Sequence, residues 1–245
     1  MKTTISRHLK SSTAMGAFIA LGLVAQPAVA QDWSGPYAGV NIGAAAPSVE
    51  NEWNSNIFCT TEGLADNCGE PVNDLNSAGI LFGAVGGVNW QRGQYVFGVE
   101  ADVASTSIKN DSYYKANDGA VTGSERAGLN IDMLASVRGR AGMAFGENLV
   151  YASAGIGFMA GDFTASTSDT DPFMGIKSIS NVTPVLGLGY QRYVSENVSL
   201  DVSAQHYFGS DRIELGGGFG DGDTTDSTLE ITGLTTISIG LRFDF

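Results

Sequence analysis

Apolar residues recur at every second position along several stretches of this chain. At its carboxy-terminal end Ile237, Ile239, Leu241, Phe243 and Phe245 alternate with Ser238, Gly240, Arg242 and Asp244. Tyr95, Phe97, Val99, Ala101 and Val103 stand in the same way against Gly98, Glu100 and Asp102. Between 131 and 145 the apolar set is Ile131, Met133, Ala135, Val137, Ala141, Met143 and Phe145, opposed by Asp132, Ser136, Arg138, Arg140 and Gly142. Val198, Leu200, Val202 and Ala204 oppose Ser199, Asp201, Ser203 and Gln205. A period of two is that of a β-strand with one apolar and one polar face.

Eight such strands are predicted, near 35–46, 78–90, 95–106, 130–145, 149–163, 179–193, 198–210 and 229–245. The connections alternate in length. Tight turns rich in turn-forming residues lie at 91–94, 146–148 and 195–197, and long polar connections at 47–77, 107–129, 164–178 and 211–228. The expected fold is all-β: an eight-stranded antiparallel up-and-down barrel.

Alternation alone does not say which face is inside, and a water-soluble barrel alternates too. The composition of the polar face decides. A water-facing surface favours long, soluble side chains, whereas the polar positions here carry Gly83, Gly87, Gly98, Gly187, Gly189, Gly240, Ser136, Ser203 and Asn89. Small residues fit the interior of an eight-stranded barrel, which is just wide enough for side chains to fill. The acids Glu100, Asp102 and Asp201 share that interior parity with Arg138, Arg140 and Arg242, and buried charges have to be paired. An internal charge network of these six residues is expected, with the apolar face turned to lipid. Closure into a barrel satisfies every backbone group, as hydrocarbon requires. Trp90, Tyr95, Phe145, Tyr190, Phe243 and Phe245, near strand ends, would form interfacial girdles.

The amino-terminal end agrees with a membrane outside the cytoplasm. Lys2, Arg7 and Lys10 precede an apolar run from about Ala14 to Ala25 and an Ala28-Val29-Ala30 site, the pattern of a cleaved signal peptide over residues 1–30. The run is too short to span a bilayer as a helix. Residues 31–245 then form one barrel domain. Residues 1–30 hold three bases and no acid, so the rest carries 10 Lys and Arg against 26 Asp and Glu, a net charge of −16. No nucleic-acid partner is expected, because phosphate neutralisation needs clustered Lys and Arg.

Cys59 and Cys68 read as one disulfide in an exported protein, stabilising by ~2–3 kcal/mol on the chain-entropy account. The rival reading is a metal site, but no histidine lies nearby and two thiols make a poor zinc site. The long connections are acidic. Glu50, Glu52, Glu62, Glu70, Asp66 and Asp74 lie between 47 and 77 without a base, and Asp211, Glu214, Asp221, Asp223 and Asp226 face only Arg212 between 211 and 228. Such loops suit solvent, divalent cations bridging lipopolysaccharide, or a basic surface ligand. The 221–226 stretch, DGDTTD, lacks the downstream Glu of a calcium loop. His206, with Ser203, Ser210 and Asp211 close in sequence, has nothing that activates a particular serine. No catalytic, metal or cofactor-binding residue is assigned, and the protein is not expected to be an enzyme.

Four stretches, DWSGPYAGVNIGAA after the leader, GVNWQRG, PVLGLGYQ and the terminal IGLRFDF, together resemble the small outer-membrane β-barrel family of porin-family and opacity-type proteins, abundant in alphaproteobacteria. The fold is similar to the transmembrane domain of OmpA. The resemblance covers essentially all of the chain after the leader and implies the Gram-negative outer membrane, with its lipid and lipopolysaccharide, as the location. It also implies periplasmic chaperones and the barrel-assembly machinery as partners, with Leu241, Phe243 and Phe245 as the assembly signal. No peptidoglycan-binding segment follows Phe245, so wall anchoring is not expected. The expected role is structural: envelope integrity and the display of acidic extracellular loops. A narrow diffusion pore, or a surface adhesin or ligand-binding protein, are the alternatives.

Overall fold

The computed structural model describes residues 31–52, 76–114, 125–166, 175–216 and 226–245, which form eight antiparallel strands closed into one barrel. In chain order these are β1 (Gly35–Glu52), β2 (Gly79–Arg92), β3 (Tyr95–Tyr114), β4 (Glu125–Phe145), β5 (Asn148–Ser166), β6 (Gly175–Ser195), β7 (Val198–Gly216) and β8 (Asp226–Asp244). Each strand pairs with its neighbours in sequence, and β1 closes the ring against β8, from Tyr37 opposite Asp244 to Glu52 opposite Thr228. The alternation predicts this architecture. Residues 1–30, Cys59, Cys68, Glu62, Glu70, Asp66, Asp74 and residues 221–225 of the acidic segment lie outside the described residues.

The three tight turns are two-residue loops, Gly93-Gln94, Gly146-Glu147 and Glu196-Asn197. Gly93 and Gly146 take φ of 63° and 60°, the positive values that the primed hairpin turns require at their first position. At the opposite end the strands outrun the sequence-based boundaries. β2 has 14 residues, and β4 and β6 have 21 each, where ~9–11 suffice to cross a bilayer. The polar stretches that begin at 47, 107, 164 and 211 start as continuations of the strands, and the connections proper are shorter.

The outer face is apolar over most of each strand. Val40 and Ile42 on β1, Phe97 and Val99 on β3, Val137 on β4, Leu186 and Leu188 on β6, and Ile237 and Ile239 on β8 are all exposed. Glu100, Arg138, Arg140, Asp201 and Arg242 are buried inside. In water this arrangement would be inverted, since large apolar surfaces are normally covered and charges exposed. It is the arrangement of a barrel whose outer solvent is hydrocarbon.

Toward the long-loop end the two faces exchange character. On β3 the outward series Val99, Ala101, Val103 continues as Ser105, Ser107 and Lys109, and the inward series Glu100, Asp102 continues as Ala104 and Ile108. Every strand adds to an apolar interior there, formed by Ala45, Val49, Leu81, Ile108, Leu129, Ile131, Leu134, Met159, Phe163, Val185, Tyr207, Ile231 and Leu234 with Ala104. Along β3 this section therefore has an apolar inside and a polar outside, the pattern of a strand in a water-soluble barrel rather than one facing hydrocarbon.

The exchange corrects one detail of the sequence reading. Ile131 is fully buried and Asp132 exposed, the reverse of the faces that strict alternation assigns them. The cause is a bulge. Ile131 pairs with Gly161 and Met133 with Ala160, leaving Asp132 as an extra residue on β4, and one extra residue shifts every side chain beyond it to the other face. Register shifts also occur between Ser105 and Ile108, between Ser48 and Val49, and between Phe208 and Asp211.

Candidate functional site

The middle of the barrel is a layer of ions. From β3 and β4, Arg138 Nη2 lies 2.6 Å from Glu100 Oε1 and Arg138 Nη1 lies 2.6 Å from Asp102 Oδ1. Arg140 Nη1 reaches Glu100 Oε2 at 3.2 Å. Glu100 faces Arg138 directly across the ladder, so two inward positions on each of two neighbouring strands give an alternating grid of charge. From β7 and β8, Arg242 Nη2 lies 3.1 Å from Asp201 Oδ1. All six residues named from interior parity therefore lie in this layer, in two groups.

Neutral side chains join the groups. The Tyr37 hydroxyl donates to Glu100 Oε2 at 2.7 Å and accepts from Arg140 Nη1 at 2.9 Å. The Arg140 guanidinium lies 3.9 Å from the centre of the Tyr151 ring, a cation–π contact, and the Tyr151 hydroxyl donates to Asp201 Oδ2 at 2.8 Å. Arg140 Nη2 also donates to Gln191, which donates in turn to Ser199. Ser136 donates to Asp102, and Arg138 to Gln205. β2 takes part through close approach: a Cβ on Gly87 would collide with the Tyr37 hydroxyl and ring.

Gln205 was placed on the polar face of its strand from sequence; Tyr37, Tyr151 and Gln191 were not singled out, although the two tyrosines carried a signal. Tyr37, Gly39 and Asn41 alternate with Ala38, Val40 and Ile42, and Tyr151 and Ser153 with Val150 and Ala152, so both tyrosines have interior parity. The girdle residues Trp90, Tyr95, Phe145, Phe243 and Phe245 are exposed, and Tyr190 is partly covered, its hydroxyl donating to Asn148.

The layer is covered at both ends. On the long-loop side lies the apolar interior described above. On the short-turn side Trp33, which precedes β1, packs with Val96, Leu149, Tyr151 and Tyr193. Just outside that cluster Asp32 accepts from the Ser34 backbone N–H, which holds its carboxyl below the ordinary range.

The remaining candidates do not converge. Ser203 points inward and contacts Ser238, whereas His206 points outward, with Nδ1 2.9 Å from Thr235 Oγ1 and its ring edge-on to Phe208. The barrel wall therefore separates Ser203 from His206. Among the described residues no group of three or more His, Cys, Asp or Glu could hold a metal ion. Leu241 and Phe243 face outward on β8, and Phe245, just past its end and 80% exposed, donates its backbone N–H to the Pro36 carbonyl.

A closed ring of antiparallel strands with an apolar belt outside and paired ions inside defines a transmembrane barrel of the outer-membrane type. The family model for the outer membrane protein beta-barrel domain matches residues 16–245, and the chain belongs to that family. A 22 kDa outer membrane protein of Rhizobium leguminosarum bv. viciae is 31% identical over 134 residues, 54% of each chain. The match thus spans about half the length of that relative. Among solved structures the chain is similar to OprG from Pseudomonas aeruginosa, with TM-score 0.49 and 10% identity over 86% of this chain and 97% of that one. It is also similar to Neisserial surface protein A (TM-score 0.41, 15% identity, 86% and 98%) and to the outer membrane protease OmpT from Escherichia coli (0.42, 11%, 86% and 97%). The protein is an outer-membrane protein of a Gram-negative envelope.

Proposed function

We propose that this protein is a structural element of the outer membrane: a sealed barrel that ties into the lipid through its belt and carries its acidic connections clear of the surface on extended strands. The observation that supports this most is the filled interior. A layer that draws side chains from seven of the eight strands, β1 and β3 to β8, lies between two apolar plugs, and eight strands leave little lumen in any case. Leu134, Met159 and Phe163 on one side and Trp33 on the other put buried apolar side chains in the path through the barrel.

Planar-bilayer recording of the purified protein tests this reading against a diffusion pore. The expected result is no steady conductance, in the wild type and after Arg138→Ala or Arg140→Ala alike. A steady conductance whose size changes when Arg138 or Arg140 is replaced would favour the pore.

A further inference from the structure

The four residues ahead of β1 do more than lead into the sheet. Gly35, the first residue of β1, has φ +129°, a backbone that only glycine adopts readily, and it turns the chain inward across the mouth of the barrel. Trp33 is thereby only 1% exposed, with its ring centroid 4.3 Å from that of Tyr193. Its neighbours Leu149, Tyr151 and Tyr193 come from β5 and β6, on the far side of the ring from β1. Val96 of β3 completes the cluster.

The fastening is local. Trp33 N–H donates to Gln91 Oε1 at 2.7 Å, Gln91 N–H donates to Ser34 Oγ at 3.0 Å, and Gln31 Nε2 donates to the Glu196 carbonyl at 3.5 Å. None of these bonds belongs to a strand ladder, and residues 31–34 pair with no strand. The segment can leave its seat without unpairing any part of the barrel, and segments held by few backbone bonds are those that open locally.

We propose that residues 31–34 form a strap, hinged at Gly35, that closes the short-turn mouth of the barrel with Trp33 as its stopper and keeps water from the ion layer. The strap is a separable closure. Releasing it exposes the inner end of the barrel while the ring and the apolar plug of the outer section stay intact. This goes beyond the structural role proposed above, since a barrel could stiffen the envelope with its inner mouth open.

Cysteine accessibility tests it in the full chain, with Cys59 and Cys68 replaced by serine and a folded barrel confirmed by its heat-modifiable shift on gels. One reporter is Val96→Cys, beneath the strap, and the other is Leu134→Cys, in the outer plug. The probe is a charged methanethiosulfonate. With Trp33 present both cysteines should resist labelling until the protein is boiled. Trp33→Ala should speed labelling at Val96→Cys by at least about tenfold, as local opening without global unfolding requires, and leave Leu134→Cys protected. Trp33→Phe, which keeps a ring in the seat, should restore most of the protection. Equal labelling of Val96→Cys with and without Trp33 would overturn the strap as a closure. Labelling of both reporters together, or a Trp33→Ala chain that does not fold while Trp33→Phe does, would overturn it as a separable device.

Discussion

Glu100 accepts hydrogen bonds from Tyr37, Arg138 and Arg140 at 2.7, 2.6 and 3.2 Å, so one carboxylate compensates two buried cations and a phenol. Removing a single partner from a buried ion network leaves an uncompensated charge, a loss of about 3–5 kcal/mol. Glu100→Gln is therefore expected to lower stability by that amount, measured by urea unfolding of the barrel refolded into lipid vesicles. A loss below ~1 kcal/mol, the range of a solvated pair, would mean that the layer is wet. At this scale the sequence was informative about facing and silent about partners. Parity placed Glu100, Asp102, Asp201, Arg138, Arg140 and Arg242 on one side of their strands. Which acid meets which base depends on register and on how strands distant in sequence come together in the closed ring, as when Arg140 of β4 donates to Tyr37 of β1.

A strand such as β3 meets three environments along its length. It begins at the interface with Tyr95, crosses hydrocarbon with Phe97, Val99, Ala101 and Val103 outward, and then shows Ser105, Ser107 and Lys109 to water while Ile108 turns into the core. The period of two persists through all three, which is why the strand is legible in the sequence. Its polarity inverts at Ala104, which is why the predicted boundary fell at 106, short of the observed end at Tyr114. On β4 the same transition is made with a bulge at Asp132, and a bulge leaves no mark in a pattern of single residues. These environments predict opposite sensitivities on one strand. Val137→Arg, in the middle of the apolar belt, should destabilise by ~2–4 kcal/mol. Asp132→Arg, beyond the bulge and facing water, should stay within about 0.5 kcal/mol of the wild type. Urea unfolding in vesicles reads both, and equal effects would contradict the placement of the belt's edge.

As a whole the molecule is a cylinder whose ion layer lies behind an apolar outer belt and between two apolar interiors, the Trp33 cluster toward the short turns and the larger core toward the long connections. Eight strands, short turns at one end and closure of the last strand on the first were all readable from the alternation, because each depends on local pattern and connection length. The strap at the inner mouth and the outer plug were not, because Trp33 lies ahead of the first alternating run and plug residues such as Ile131 turn inward through bulges. The central claim is the orientation of the two faces, and a nitroxide scan of β4 from residue 130 to 143 in lipid vesicles tests it most directly, with Cys59 and Cys68 replaced by serine. Exposure to dissolved oxygen should peak at 133, 135, 137, 139, 141 and 143 and fall at 134, 136, 138, 140 and 142, and at 132 the label should become accessible instead to a water-soluble nickel chelate. Oxygen peaks at the even positions, or nickel accessibility at 135, 137 and 139, would contradict the account.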